Sequence, residues 1–462
     1  MTAHSRRDFL LRSARTVGAA LIAPSLSGLV ACSRGPGAAQ PRPVLRRARL
    51  GEGGYGALRP AGPELALPEG FSYTVLSSPG KPMSDGHATP GAFDGMAAFP
   101  MPNGNVRLIR NHENRNDAAT ARVKGDPARA YDAHGGGGTT SLEVRLASDG
   151  SAEVVRDFVS LSGTIVNCAG GPTPWGTWLS CEESVAGRSE GWDREHGYIF
   201  EVPVAAESTV WPVPLKRMGR FVHEAVAVDP ATGTVYETED RTPTAGFYRF
   251  LPNARGRLAA GGKLQMLAVH GRPNYDTASG QTVGERLPVR WVDIPDPDPS
   301  EGAATAVFDQ GYAKGGALFA RLEGCWYGDA SIYFHATNGG DAQVGQVWRY
   351  LPTSHDRGDL LLVFESPSPD VLDYPDNITV SPRGGIVICE DGGGEQYLRG
   401  LTPQGAIFDL GKNLLNASEF AGGCFSPDGR VLFVNIMGAT LDDGAEEGRT
   451  LAIRGPWERG AL

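Results

Sequence analysis

Gly104-Asn-Val-Arg-Leu-Ile-Arg-Asn-His112-Glu113 is a short apolar run that opens at a glycine turn and ends in polar and acidic residues. The same pattern returns as Gly176-Thr-Trp-Leu-Ser-Cys-Glu182-Glu183, Gly233-Thr-Val-Tyr-Glu-Thr-Glu239-Asp240, Ser331-Ile-Tyr-Phe-His-Ala-Thr-Asn338, Gly385-Ile-Val-Ile-Cys-Glu390-Asp391 and Gly429-Arg-Val-Leu-Phe-Val-Asn435. A second pattern accompanies several of these: Gly197-Tyr-Ile-Phe-Glu-Val-Pro203, Gly246-Phe-Tyr-Arg-Phe-Leu-Pro252 and Gly345-Gln-Val-Trp-Arg-Tyr-Leu-Pro352. The first two of these start 49 residues apart and the third follows 99 residues later, close to two such periods. A period of about 50 residues is the size of a propeller blade, a small sheet that buries its faces only against its neighbours. Six runs of the first kind predict an all-β, six-bladed β-propeller with inserted loops, the largest insertion falling within 253–320; five or seven blades are the alternative counts. A β-sandwich is the alternative, and two kinds of recurring strand suit it less well.

Composition agrees with this reading. Among 462 residues, 63 glycines and 34 prolines interrupt many short apolar runs, as in a turn-rich all-β domain. Helix is scarce, with short candidates only within 58–67 and 117–129. Gly135-Gly-Gly-Gly138 lacks the lysine of a phosphate-binding loop, and no GxGxxG occurs. The net charge of -10, with no basic stripe beyond the N-terminal region, speaks against a nucleic-acid partner. Phosphate-bearing substrates stay open, because bound cations overturn the local sign of the field.

Residues 1–32 read as an export signal. Arg6-Arg7 followed by Phe9-Leu10 fits the twin-arginine class, Thr16–Ala31 is uncharged, and Leu29-Val-Ala-Cys32 is lipobox-like. Lipidation of Cys32 and ordinary cleavage nearby are the competing outcomes. Both imply an exported protein, periplasmic or at the cell surface, that engages the twin-arginine machinery, and lipidation would add a lipid anchor to the membrane. Residues 33–62 read as a flexible linker, and 63–462 as one β-propeller domain, expected to be a monomer. The mature part keeps five cysteines, Cys168, Cys181, Cys325, Cys389 and Cys424. An odd number cannot all pair in an oxidising compartment, so at least one is free or a ligand.

Homologous strand ends of a propeller gather at one rim of the channel. Glu113, Glu182, Glu239, Asp240, Glu390 and Asp391 would then converge, and converging carboxylates call for a cation. The competing reading is that these acids only begin solvated turns.

The segment Gly163-Thr-Ile-Val-Asn167-Cys168-Ala-Gly-Gly171-Pro-Thr-Pro-Trp175-Gly-Thr-Trp178-Leu-Ser-Cys181-Glu182-Glu183 closely resembles the signature of PhoX-type alkaline phosphatases. Asn111-His-Glu113, Gly219-Arg-Phe-Val-His223-Glu224-Ala225, Glu239-Asp240-Arg241, Phe319-Ala-Arg321-Leu-Glu323-Gly324, Pro375-Asp-Asn377 and the run from Glu419 to Gly429 resemble the same family in the same order. The resemblance spans about residues 65–440. It implies a twin-arginine-exported phosphomonoesterase on a six-bladed propeller, with Ca2+ and Fe3+ in an oxo-bridged cluster and small-molecule phosphate esters as substrates.

Carried over residue by residue, the resemblance makes Cys168 the iron thiolate. A Cys168–Cys181 disulfide would defeat that assignment. Glu224, Glu323 and Glu390 follow as the main carboxylate ligands, with Glu113, Glu182, Asp240 and Glu419 behind them. His112 and His223 would orient those carboxylates. Arg321 would fork two phosphoryl oxygens, and Asn167 would donate to a third. Departures are the glycine-expanded His134–Thr140 stretch and Leu322, where proline is frequent in the family. No serine has a partnered base, so a phosphoserine route is unsupported. Two other classes stay open. One is a calcium-dependent propeller lactonase, phosphodiesterase or phosphotriesterase; the other is a non-catalytic surface-binding propeller.

Overall fold

The computed structural model describes residues 45–115, 122–147, 151–438 and 447–462. The export signal, Cys32 and the first part of the linker lie outside them. From Arg47 to Leu462 the chain forms one unit, and its one α-helix among the described residues is the short Val307–Tyr312.

Three short strands, β1 (Leu58–Pro60), β2 (Leu65–Pro68) and β3 (Ser72–Ser77), precede a series of antiparallel meanders. The first is β4 (Phe93–Pro100), β5 (Val106–His112), β6 (Gly137–Leu146) and β7 (Ala152–Thr164). The second is β8 (Asn167–Pro172), β9 (Thr177–Glu182) and β10 (Ile199–Pro203). The third is β11 (His223–Val228), β12 (Val235–Glu239), β13 (Phe247–Pro252) and β14 (Gly262–Val269), followed by β15 (Arg286–Asp293). The fourth is β16 (Leu322–Gly328), β17 (Ser331–Ala336), β18 (Gln346–Pro352) and β19 (Gly358–Glu365). The fifth is β20 (Pro375–Val380), β21 (Ile386–Glu390), β22 (Tyr397–Leu401) and β23 (Ile407–Asn413). The last is β24 (Phe420–Phe425), β25 (Val431–Ile436) and β26 (Arg449–Arg454).

The fold is all-β and propeller-like, but the hydrogen-bonded sheets of the described residues number five. The reason is β15, which pairs with β14 on one side and β19 on the other. It fuses the third and fourth meanders into one nine-stranded sheet. Residues 253–320, expected as an insertion, thus supply this bridging strand and the helix. The last meander takes its fourth strand from the N-terminus, because β3 pairs with β26. Residues 58–67 form β1 and part of β2 rather than a helix, since β2 finds hydrogen-bond partners on β23. Within the expected linker, Tyr55 is buried and its hydroxyl donates to the Trp457 carbonyl at 2.9 Å.

The first strands of the meanders contact one another in cyclic order: β4 with β8, β8 with β11, β11 with β16, β16 with β20, β20 with β24, and β24 with β4. Each carries a bulge near its start. Pairing jumps from Phe93 to Met96, Asn167 to Gly170, His223 to Val226, Leu322 to Cys325, Pro375 to Ile378 and Ala421 to Cys424. In each case two residues face one across the ladder, which bends the strand and re-aims a side chain. The bulged pairs are Asp94-Gly95, Cys168-Ala169, Glu224-Ala225, Glu323-Gly324, Asp376-Asn377 and Gly422-Gly423.

Bulges leave backbone groups without ladder partners, and side chains of adjacent meanders take them. Asn111 Nδ2 donates to the carbonyls of Cys168 (3.1 Å) and Ala169 (2.7 Å). Asn435 Nδ2 donates to the Asp94 carbonyl at 2.7 Å, and the Gly422 amide donates to Asn377 Oδ1 at 2.6 Å. Small residues let these backbones approach. A Cβ on Gly95 would stand 2.5 Å from Ala169 Cα, and one on Gly324 would stand 2.6 Å from the Asp376 carbonyl oxygen.

Gly95→Ala is therefore expected to destabilise the protein by about 1–3 kcal/mol. Gly394→Ala faces open space and should stay within about 0.5 kcal/mol. Denaturant titration of both variants checks the contrast.

Candidate metal centre

The six bulges put chemistry at one level of the ring. Their first members are Asp94, Cys168, Glu224, Glu323, Asp376 and Gly422. Three groups of ligand atoms form there, each drawn together within 4.8 Å: Cys168, Glu183 and Glu224; Glu224, Glu323 and Asp376; Asp376, Asp391 and Glu419. Glu224 belongs to two of them and Asp376 to two, so the three are links of one chain. All of these residues are buried except Asp391, which is half-buried.

Strand geometry explains which acids take part. In Glu182-Glu183 the strand ends on Glu182, whose carboxylate turns into its own meander. It accepts from the amides of Gly197 (2.9 Å), Tyr198 (3.2 Å) and Ile165 (3.1 Å) and from His196 Nδ1 (2.6 Å). The next residue, Glu183, points to the opposite side, as the pleat requires, and joins Cys168. Glu390 repeats this. Its Oε1 accepts from Arg399 Nε (2.8 Å) and the Asp373 amide (3.0 Å), while Asp391 meets Asp376 and Glu419. Glu239 accepts from the Gly246 amide (2.9 Å) and the Tyr248 hydroxyl (2.7 Å), and Asp240 then takes both Nε and Nη2 of Arg321 at 2.8 Å. At the end of β5 the inward-turned residue is His112. Its Nδ1 donates to the Gly91 carbonyl (2.7 Å), and its Nε2 lies 2.9 Å from the Thr140 hydroxyl. Glu113, next along, is held by Arg115.

Of the residues singled out by sequence, the structure brings Cys168, Glu224, Glu323 and Glu419 together. Both oxygens of Glu182, and Oε1 of Glu390, are held within or beside their own meanders. Glu113 and Asp240 border the centre through arginine partners. His223, next to Glu224, has its Nε2 at 3.1 Å from the Gly219 carbonyl, and burial pushes its ring down to about 3. Asn167 is fully engaged beside its own strand: Oδ1 accepts from Thr164 (2.6 Å) and Nδ2 donates to Ser180 (2.9 Å). Arg321 Nη2 also reaches Glu323 Oε1 at 2.5 Å. Arg321 sits at φ 45, a left-handed backbone rare for a side-chain-bearing residue.

Asp391, expected among the converging acids, does join a ligand group, whereas Glu183 and Asp376 were not singled out as ligands although both lie inside quoted motifs. The usable signal was position: one residue beyond the second strand, or second in the first strand. Asp94 holds the equivalent bulge of β4.

The donor chemistry fits a cation centre. Cys168 and Cys181 are free thiols, so no disulfide competes. Cys168 Sγ donates to Glu224 Oε2 at 2.9 Å. Burial, followed by the charges of Glu224, Glu183, Asp94 and Glu113, pushes this thiol well above its usual range. Negative groups crowded out of water raise each other's proton affinity, and a bound cation relieves that penalty.

No curated protein matches the chain. Among solved structures, Pseudomonas fluorescens PhoX in complex with vanadate, a transition state analogue, is similar at 19% identity and a TM-score of 0.67. That match covers 88% of this chain and 98% of that one, and it carries the propeller-like fold. A gluconolactonase from Xanthomonas campestris (14% identity, TM-score 0.41, 87% and 100% covered) and virginiamycin B lyase from Staphylococcus aureus (11%, 0.38, 82% and 99%) are more distant. Residues 54–439 match the family described as alkaline phosphatase PhoX, and the chain belongs to that family.

Proposed function

We propose that this protein hydrolyses phosphate monoesters at a multi-cation centre on a six-bladed propeller. The observation that carries the reading is the chain of three linked ligand groups at the bulged starts of the first strands. Six blades are supported by the closed cycle of first-strand contacts and by the same bulge in every meander.

Cys168, Glu183 and Glu224 would hold the softer ion, for which the resemblance suggests ferric iron, because a thiolate is a soft ligand. The oxygen-only groups, Glu224 with Glu323 and Asp376, and Asp376 with Asp391 and Glu419, suit hard cations such as calcium. Bound there, the cations would neutralise charge on the phosphoryl and leaving oxygens. The chain's own part is to position and to exclude water. The bulges aim the donors, Asn111 and Asn435 fix the bulged backbones, and Asp240 locks the Arg321 fork beside Glu323. From that position Arg321 would add a fixed positive charge beside the phosphoryl group.

The N-terminal segment supports twin-arginine export to the periplasm or cell surface, with Cys32 as a lipid anchor. Cys32→Ala should move the protein from the membrane fraction to the soluble fraction.

Elemental analysis of the natively exported protein, paired with a phosphomonoester assay before and after chelation, tests the central claim. Cys168→Ala should lose iron and activity together. The paired acids give a sharper contrast. Glu183→Gln and Asp391→Asn are expected to lose bound cations and to cut turnover about 100-fold or more, as when a main ligand contact fails. Glu390→Gln should keep its cations and instead lose about 2–4 kcal/mol of stability, since it weakens a buried ion pair. Full activity in Cys168→Ala, or equal cation loss in all three acid variants, would sink the assignment.

A further inference from the structure

Arg115 follows β5 by three residues and stands against the first ligand group. Its Nη2 donates to Glu113 Oε1 and, at 2.9 Å, to Glu183 Oε2. Its side chain keeps 30% exposure, whereas those of Glu113 and Glu183 keep 1% and 6%. It therefore stands where a buried acidic cluster meets solvent.

Arg321 repeats this arrangement on the other side. One of its nitrogens, Nη2, is shared between Asp240 and Glu323. In both cases the guanidinium bridges an acid inside the ligand groups (Glu183 or Glu323) and an acid outside them (Glu113 or Asp240). Glu183 shares one group with Glu224, and Glu323 shares the next group with Glu224. The two arginines thus flank Glu224 from opposite sides, one reached through β5 and the other through β16.

We propose that Arg115 is a second phosphate-recognising arginine, acting opposite Arg321 across Glu224. The proposal rests on the phosphatase reading above. A carboxylate has about four acceptor positions, so Glu183 can serve the centre and still orient Arg115. The guanidinium is planar and permanently charged, and its geometry matches two oxygens of a phosphoryl group. Because its side chain keeps 30% exposure, Arg115 can be approached by an anion from solvent. Arg321, 7% exposed in its side chain, meets the same group from within.

The test uses the natively exported, cation-loaded protein with inorganic phosphate as the probe. Arg115→Gln should weaken phosphate binding at least about tenfold in calorimetry, as expected for losing a charge-assisted pair. It should raise KM for a phosphomonoester more than it lowers kcat, with cation content unchanged. Arg115→Lys, which keeps the charge without the fork, should recover part of the loss.

Unchanged phosphate affinity in Arg115→Gln would overturn the proposal. So would an extra equivalent of cation at unchanged phosphate affinity, which would make Arg115 a resident counter-ion for Glu113 and Glu183. Joint loss of cations and phosphate binding in both variants would overturn it too, leaving only a structural role. If the unaltered protein neither binds phosphate nor cleaves a monoester, the phosphatase reading itself fails, a result separate from any behaviour of the variants.

Discussion

The close approach of the first strands at their bulged starts is the constraint on which the rest of the molecule depends. The strands come so near because glycines stand where the backbones meet, as at Gly95, Gly324 and Gly422, and because displaced backbone groups find side-chain partners. The bulge solves two problems at once. It breaks the ladder where strands crowd, and it turns the preceding residue out of the sheet plane. Where that residue is Asp, Cys or Glu, crowding of backbones becomes crowding of ligands.

The sheets behind this ring are ordinary by comparison. Apolar faces such as those of Phe247, Phe334 and Trp348, or Leu432, Val434 and Leu451, fill the spaces between strands and keep the ring from relaxing outward. Two devices hold the ring against opening. β3 completes the last meander from the other end of the chain, and β15 ties two neighbouring meanders at their outer edges. The rigidity of the acidic cluster is thus borrowed from contacts far from it in sequence.

Much of this was legible in the sequence. The apolar runs that end in polar or acidic residues are β5, β9, β12, β17, β21 and β25, and their recurrence pointed to a propeller-like arrangement. Cys168, Glu224, Glu323 and Glu419 could be picked out through the resemblance. What could not be read was which member of an acidic pair faces the centre. Glu182 and Glu183, or Glu390 and Asp391, are chemically alike, and a shift of one residue along a strand exchanges the two faces. The choice depends on where the ladder ends, and that in turn depends on partners elsewhere in the meander, such as His196 and Gly197 before β10 and Arg399 on β22. The bulges were hidden for a similar reason: an extra residue shows only against the strand it fails to match. The β15 bridge was also hidden, since an edge strand's partner is set by tertiary position rather than by its own pattern.

Glu224 and Asp376 each belong to two ligand groups, and this has a thermodynamic consequence. Sites that share a carboxylate cannot fill as independent events. Occupancy of one fixes the rotamer and charge of the shared group, and so alters affinity at its neighbour by a reciprocal coupling free energy. The ordering entropy of the shared side chain is spent only once for both sites. Cations held by these groups would therefore assemble together and leave together, with Glu224 and Asp376 as the shared ligands.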